Sequence, residues 1–206
     1  MLVTKRLELQ EVRLEHKVAF QQGRETLSAL LGVTVPLEWP EFPEAFTLPV
    51  IGSVSVGEPM PNQWPGYLFV DRRKGALIGN GGYSGEPNRA GEVEVGYEVA
   101  PAYRNLGYAS EAVRALIDNA LKVSEVTAVI AHTLAVENAS VRVLRKVGFQ
   151  WDGEVVSEDA GAIWRWRTIR DESHKREPRQ EPNAPPRMPN TAPDEHRDAG
   201  RFLAFF

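Results

Sequence analysis

The chain contains no cysteine in its 206 residues. That single absence excludes disulfide staples, a thiolate metal site and a cysteine nucleophile, and it fits a reducing compartment. Long apolar runs are missing too: none approaches the roughly 18 to 20 residues that cross a bilayer. The opening MLVTKRLELQEV alternates like a strand and lacks the apolar centre of a signal peptide. Positive charge is not in excess. A formal net charge of −4 argues against a general nucleic-acid binder. The expectation is a cytoplasmic protein with neither nucleic acid nor membrane as a partner. The 4 histidines have no metal-spaced companions, so no metal is implied. A Gly-x-Ser-x-Gly elbow is also lacking, which leaves a Ser-His-Asp hydrolase unsupported.

What is present reads as one globular domain with a tail. The composition is 42% hydrophobic and 25% charged, enough for a full core over residues 1–170. Residues 171–206 hold prolines and mixed charge without periodicity, and the expectation there is a disordered C-terminal tail. Within the domain the pattern predicts a strand over 3–12 and a helix over 14–31 that stops at Gly32. A proline-broken connection follows to residue 65, with a short helix over 41–48. A hairpin over 67–71 and 76–84 comes next, then a strand over 92–99 and a helix over 107–121. A buried strand over 126–133, a helix over 140–147 and a closing strand pair over 149–156 and 161–168 complete the pattern.

The most informative stretch is Arg104-Asn105-Leu106-Gly107-Tyr108-Ala109. It joins the alternating EVEVGYEV to a run in which Ala109, Ala112, Val113, Leu116, Ile117, Ala120 and Leu121 recur at helical spacing. A strand, glycine-bearing loop and helix in that order aim free backbone N–H groups and the positive end of a helix dipole at one point. That is a site for a phosphate. The loop lacks the Lys-Ser/Thr of a nucleoside-triphosphate loop and the three glycines of a dinucleotide fingerprint.

It matches instead Gln/Arg-x-x-Gly-x-Gly/Ala, the acyl-CoA pyrophosphate loop of the GNAT N-acetyltransferases. The stretches EVEVGYEVAPAYRNLGYASEAVRALI, VTAVIAHT and ENASVRVLRKVGF resemble the group that includes the ribosomal-protein N-terminal acetyltransferases. TKRLELQEV and GAIWRWRTI resemble that group's first and last strands. The resemblance implies an α/β domain: a mixed, mostly antiparallel sheet of about seven strands with helices on both faces. The sheet should splay between its central parallel strands, 92–99 and 126–133. It implies acetyl-CoA as co-substrate and a primary amine, on a small molecule or at a protein N-terminus, as acceptor. Backbone N–H groups around Leu106, Gly107, Tyr108 and Ala109 would hold the pyrophosphate, and Arg104 would add charge at the loop's entrance. Pantetheine would pair with backbone at Val99 and Ala100. Gly96 fits a bulge that opens the splay.

Attack by a neutral amine needs a proton acceptor. Glu94 and Glu98 share one face of the strand, and His132 ends the parallel strand; the resemblance favours Glu94 as base. The tyrosine that many members place four residues before the helix-ending Gly-Phe is replaced by Leu144. The resemblance assigns the acid role to Ser140, whose hydroxyl would otherwise cap the helix. The family's usual Asn-x-x-Ser is shifted: Glu137-Asn138-Ala139-Ser140 puts the asparagine one place late. Arg142, Arg145 and Lys146 read as a solvated helix face. An acyl-CoA-binding sensor without chemistry, using its tail as contact element, remains the alternative. A homodimer is compatible with the sequence, which carries no signal for it.

Overall fold

The computed structural model describes residues 1–46 and 64–169. Eight strands form a single sheet in the order β1-β2-β3-β4-β5-β6-β8-β7. They are β1 (Leu2–Val3), β2 (Leu7–Glu11), β3 (Gly66–Asp71), β4 (Ala76–Tyr83), β5 (Glu92–Val99), β6 (Ala128–Leu134), β7 (Gln150–Ser157) and β8 (Gly161–Ile169). All neighbours run antiparallel except β5 and β6, which are parallel. The count exceeds the expected seven because the first strand is interrupted. Thr4 turns back on Leu7 through its hydroxyl and its N–H, which separates β1 from β2.

The helices are α1 (Leu14–Gln22), α2 (Arg24–Leu31), α3 (Tyr108–Ala120) and α4 (Ala139–Val147). The helix expected over 14–31 is thus two. Gly23, at φ 120°, breaks it and serves as C-cap of one and N-cap of the other. The short helix expected over 41–48 is a 3₁₀ turn at Pro43–Phe46, and the remainder of that expectation lies outside the described residues. So does the expected disordered tail at 171–206.

Two cores sandwich the sheet. On one face α3 and α4 bury Ala112, Val113, Leu116, Val141 and Leu144 against Val93, Val95 and Tyr97 of β5. On the other, Ala19, Leu27, Trp39 and Phe46 pack on Leu68, Val70 and Leu77. Strand β4 lies at the centre, every residue buried. Its glycines permit close strand packing: a Cβ on Gly79 would stand 2.2 Å from the Glu98 carbonyl oxygen. Strand β5 therefore carries two chemistries, apolar residues toward α3 and α4, and Glu94, Gly96 and Glu98 toward the opposite face.

The splay falls between the expected strands. β5 and β6 pair only at Glu92↔Ala128, Val93↔Val129 and Glu94↔Ile130. No bulge at Gly96 causes it, since β5 stays in register with β4 through Gly82↔Gly96. The irregularity that the described sheet does show here lies one strand over, where β3 and β4 slip between Phe69 and Val70.

Candidate active site

Beyond Glu94, β5 keeps one partner and loses the other. Ser84 N–H donates to Glu94 O and Ala100 N–H to Ile78 O. Even-numbered residues therefore bond toward β4, and Tyr97 and Val99 direct their N–H and C=O groups into the gap that β6 has left. The gap opens into a cavity of about 490 Å³ lined by Tyr97, Glu98, Val99, Arg104, Gly107, Tyr108, Ala109 and Ser140 among others.

The phosphate loop forms the far wall. Asn105 and Gly107 both take positive φ, 60° and 79°, which turns the chain sharply into α3. Gly107 is the N-cap and makes no side-chain cap bond. The first N–H groups of α3 thus keep their capacity for an anion. Arg6, which the sequence gave no reason to single out, holds the loop from behind. It donates to Leu106 O at 2.9 Å, pairs with Glu111 at 2.6 Å and lies 4.2 Å over the Tyr108 ring. Tyr108 in turn donates to Asp71.

The expected donor-binding residues divide. Val99, Arg104, Gly107, Tyr108 and Ala109 line the cavity. Leu106 is half exposed with its carbonyl taken by Arg6. Ala100 is buried and both its backbone groups are spent, the N–H on Ile78 and the C=O on Tyr103 N–H. Arg104 is exposed but engaged: its Nε donates to Val99 O at 2.9 Å, and its guanidinium pairs with Glu41.

Ser140 is buried and released from the competing cap role. Asn138 caps α4 by accepting from Val141 N–H at 3.0 Å, so the displaced asparagine has a structural duty. The Ser140 hydroxyl instead stands near the Tyr97 hydroxyl, whose pKa burial pushes up and Ser140 pulls back. A tyrosine side chain from β5 thus lies beside Ser140, while position 144 holds a leucine. Nothing in the sequence linked residue 97 to residue 140. Of the basic residues on α4, Arg145 forms a bidentate pair with Glu137 at 2.6 and 3.0 Å. Arg142 and Lys146 line the cavity, one helical turn apart on the same side. The expected solvated face is thus partly cavity wall.

The three candidate bases separate. His132 Nδ1 and Glu94 Oε1 are 2.7 Å apart, joined diagonally across the last paired rung of β5 and β6. Neither is among the residues lining the cavity. Glu98 does line it. Burial pushes its carboxyl up to about 7, offset only in part by the N–H groups of Glu41 and Phe42 and by Asn80.

A known domain family, the Acetyltransferase (GNAT) domain, matches residues 6–150. The chain belongs to the GNAT acetyltransferases. This acetyltransferase is 26% identical over 149 residues to the uncharacterized N-acetyltransferase YjdG of Bacillus subtilis, covering 72% of this chain and 89% of that protein. Its fold is similar to that of the ribosomal L7/L12 alpha-N-protein acetyltransferase RimL solved with coenzyme A. The TM-score is 0.56 at 15% identity, over 81% of this chain and 96% of that one. It is also similar to a spermidine N-acetyltransferase SpeG chimera from Vibrio cholerae, with a TM-score of 0.54 at 19% identity, over 80% and 96%. As a GNAT member, the protein is an acyl-CoA-dependent acetyltransferase.

Proposed function

We propose that the protein transfers an acetyl group from acetyl-CoA to a primary amine, on a small molecule or at a protein N-terminus, by direct attack in a ternary complex. The observation that carries this reading is the gap beside Tyr97 and Val99. The strand edge that β6 has left faces a cavity closed by a helix N-terminus without a side-chain cap. The residues fit a phosphate-bearing donor. Gly107 leaves the loop open, its nearest neighbour for an added Cβ being Arg6 Nη2 at 3.6 Å. Arg142 and Lys146 add positive charge along the same cavity.

Acetyl-CoA supplies a thioester carbonyl open to attack. Loop N–H groups at Tyr108 and Ala109 bind its pyrophosphate, and the strand edge at Tyr97 and Val99 orients the pantetheine arm. An α-amine with pKa near 8 is about one-tenth neutral at pH 7, a cost of about 1.4 kcal/mol. A lysine amine near 10.4 costs about 5 kcal/mol, so a base matters most for such acceptors. Glu94 takes the proton through a water, and the His132 tautomer protonated on Nδ1 holds the carboxylate in place. On the other face, Ser140 donates a hydrogen bond to the departing sulfur, backed by the Tyr97 hydroxyl.

Calorimetric titration with acetyl-CoA, followed by thiol release against peptides and small amines, tests the reading. Binding with turnover on an amine is expected. Failure to bind acetyl-CoA would overturn it.

A further inference from the structure

Glu98 has no part in the chemistry above, yet it is the cavity's most unusual side chain. The residue is 6% exposed. Its Oε2 accepts from Glu41 N–H at 2.9 Å, while Oε1 is buried and makes no well-formed hydrogen bond among the described residues, with Phe42 N–H and Asn80 near enough only to offset part of the burial cost. A carboxylate oxygen in that state is costly unless a cation or donor arrives. The other carboxylates on the cavity wall are already matched, Glu41 by Arg104 and Glu137 by Arg145. Arg142 and Lys146, which form no ion pair among the described residues, stand on α4, whereas Glu98 faces the opposite side of β5, beside Trp39 and Asn80. The cavity is thus built for negative charge on its α4 side and for positive charge at Glu98.

Glu98 is also too far from Glu94 to serve the same nitrogen. The two share a strand face four residues apart, which separates their Cα atoms by about 13 Å. Whichever carboxylate takes the proton of the reacting amine, the other needs a group that stays charged.

We propose that Glu98 binds a positively charged group that the acceptor carries in addition to the amine it presents for acetylation. The acceptor is then a dication, from one of two sources: a linear diamine, or a peptide N-terminus closely followed by Lys or Arg. This rests on the acetyl-transfer reading and narrows its acceptor.

The test compares linear diamines of graded length with alkyl monoamines of equal length. In parallel it compares peptides with Lys or Ala after the N-terminal residue. Thiol release gives kcat and KM, and calorimetry in the presence of CoA measures acceptor binding without reaction. Dications should win by about tenfold or more in kcat/KM, carried mainly by KM. Glu98→Gln should collapse that preference and abolish diamine or basic-peptide binding in calorimetry, with Glu98→Asp recovering part of both. Preference for diamines alone or for peptides alone names the source. Equal use of monoamines and dications by the native protein, or a preference that survives in E98Q, overturns the proposal. If acetyl-CoA fails to bind but E98Q still abolishes binding of the cationic ligand, acetyl transfer falls and the cation site stands.

Discussion

The two ends of β5 carry the same residue type in opposite circumstances. At the start, Glu92 is ringed by partners: Asn88 donates to it at 3.0 Å, Arg165 at 2.8 Å and Arg167 at 3.1 Å. The Asn88 hydrogen bond, then Arg165 and Arg167, hold its carboxyl down at about 2 against the cost of burial. Seven residues of strand lead to Val99, and just before it Glu98 has no cation among the described residues and is pushed up to about 7. The closed end is where β6 and β8 still lie alongside, and their arginines and pairing leave nothing to bind. The open end is where β6 has departed. A strand that loses its neighbour gives up structural pairing and gains a place for a ligand, and the two glutamates record the exchange.

The largest expected effect comes from the junction between those ends. Glu94→Ala should lower turnover on amines by about 100-fold or more at pH 7 with the fold intact. Full turnover in both E94A and E94Q, from pH 6 to 9, would remove Glu94 as base.

Next comes the stability cost of Glu98. Its folded pKa of about 7 exceeds the ordinary 4.5, so the native state holds more protons than the unfolded state between those values. Stability should be highest below about pH 4.5 for this group and fall as pH rises through about 7, by up to roughly 3 kcal/mol. Glu98→Gln should therefore melt higher than the parent at pH 8 and nearly with it at pH 4.5. A lower Tm at pH 8 would mean that Glu98 is as well matched as Glu92, and the contrast would vanish.

Glu92→Gln should behave in the opposite sense. The stability lent by Glu92 is present above about pH 4.5 and lost as pH falls toward about 2. Allowing for solvent screening, the substitution should cost about 2 kcal/mol at pH 7 and little at pH 2, read from urea midpoints. Smallest is the leaving-group side. Ser140→Ala should slow turnover by about fivefold to tenfold, and Tyr97→Phe by less, because a thiolate departs with modest help at neutral pH. A Y97F effect larger than that of S140A would show that the tyrosine contacts the sulfur itself.

Most of the fold was legible because period-2 and helical patterning report burial residue by residue. The hairpin, β5, α3, β6, α4 and the closing pair all lie within a few residues of expectation. Misreadings occurred where a local interaction interrupted a good pattern, as the Thr4 turn splits the first strand and Gly23 splits the first helix. The site was half legible. Gly107, Ala109, Val99 and Ser140 are tied to short-range geometry that spacing preserves. Arg6 behind the loop, Tyr97 against Ser140 and His132 against Glu94 depend on contacts across 100, 43 and 38 positions of chain, and spacing contains no record of them. Asn138 was a missed opportunity, since an asparagine just before a helix is a capping signal in its own right.

The Arg104 bridge has a consequence for the order in which two substrates arrive. Its guanidinium occupies the Val99 carbonyl and holds Glu41, whose N–H in turn holds Glu98. A donor that takes the Val99 carbonyl would compete with Arg104 for it, and losing that bond would loosen the segment carrying Glu41 beside Glu98. Donor entry therefore prepares the acceptor's seat, and the kinetics should show compulsory order. CoA would compete with acetyl-CoA for the empty enzyme, and the amine would bind more tightly once the first seat is filled.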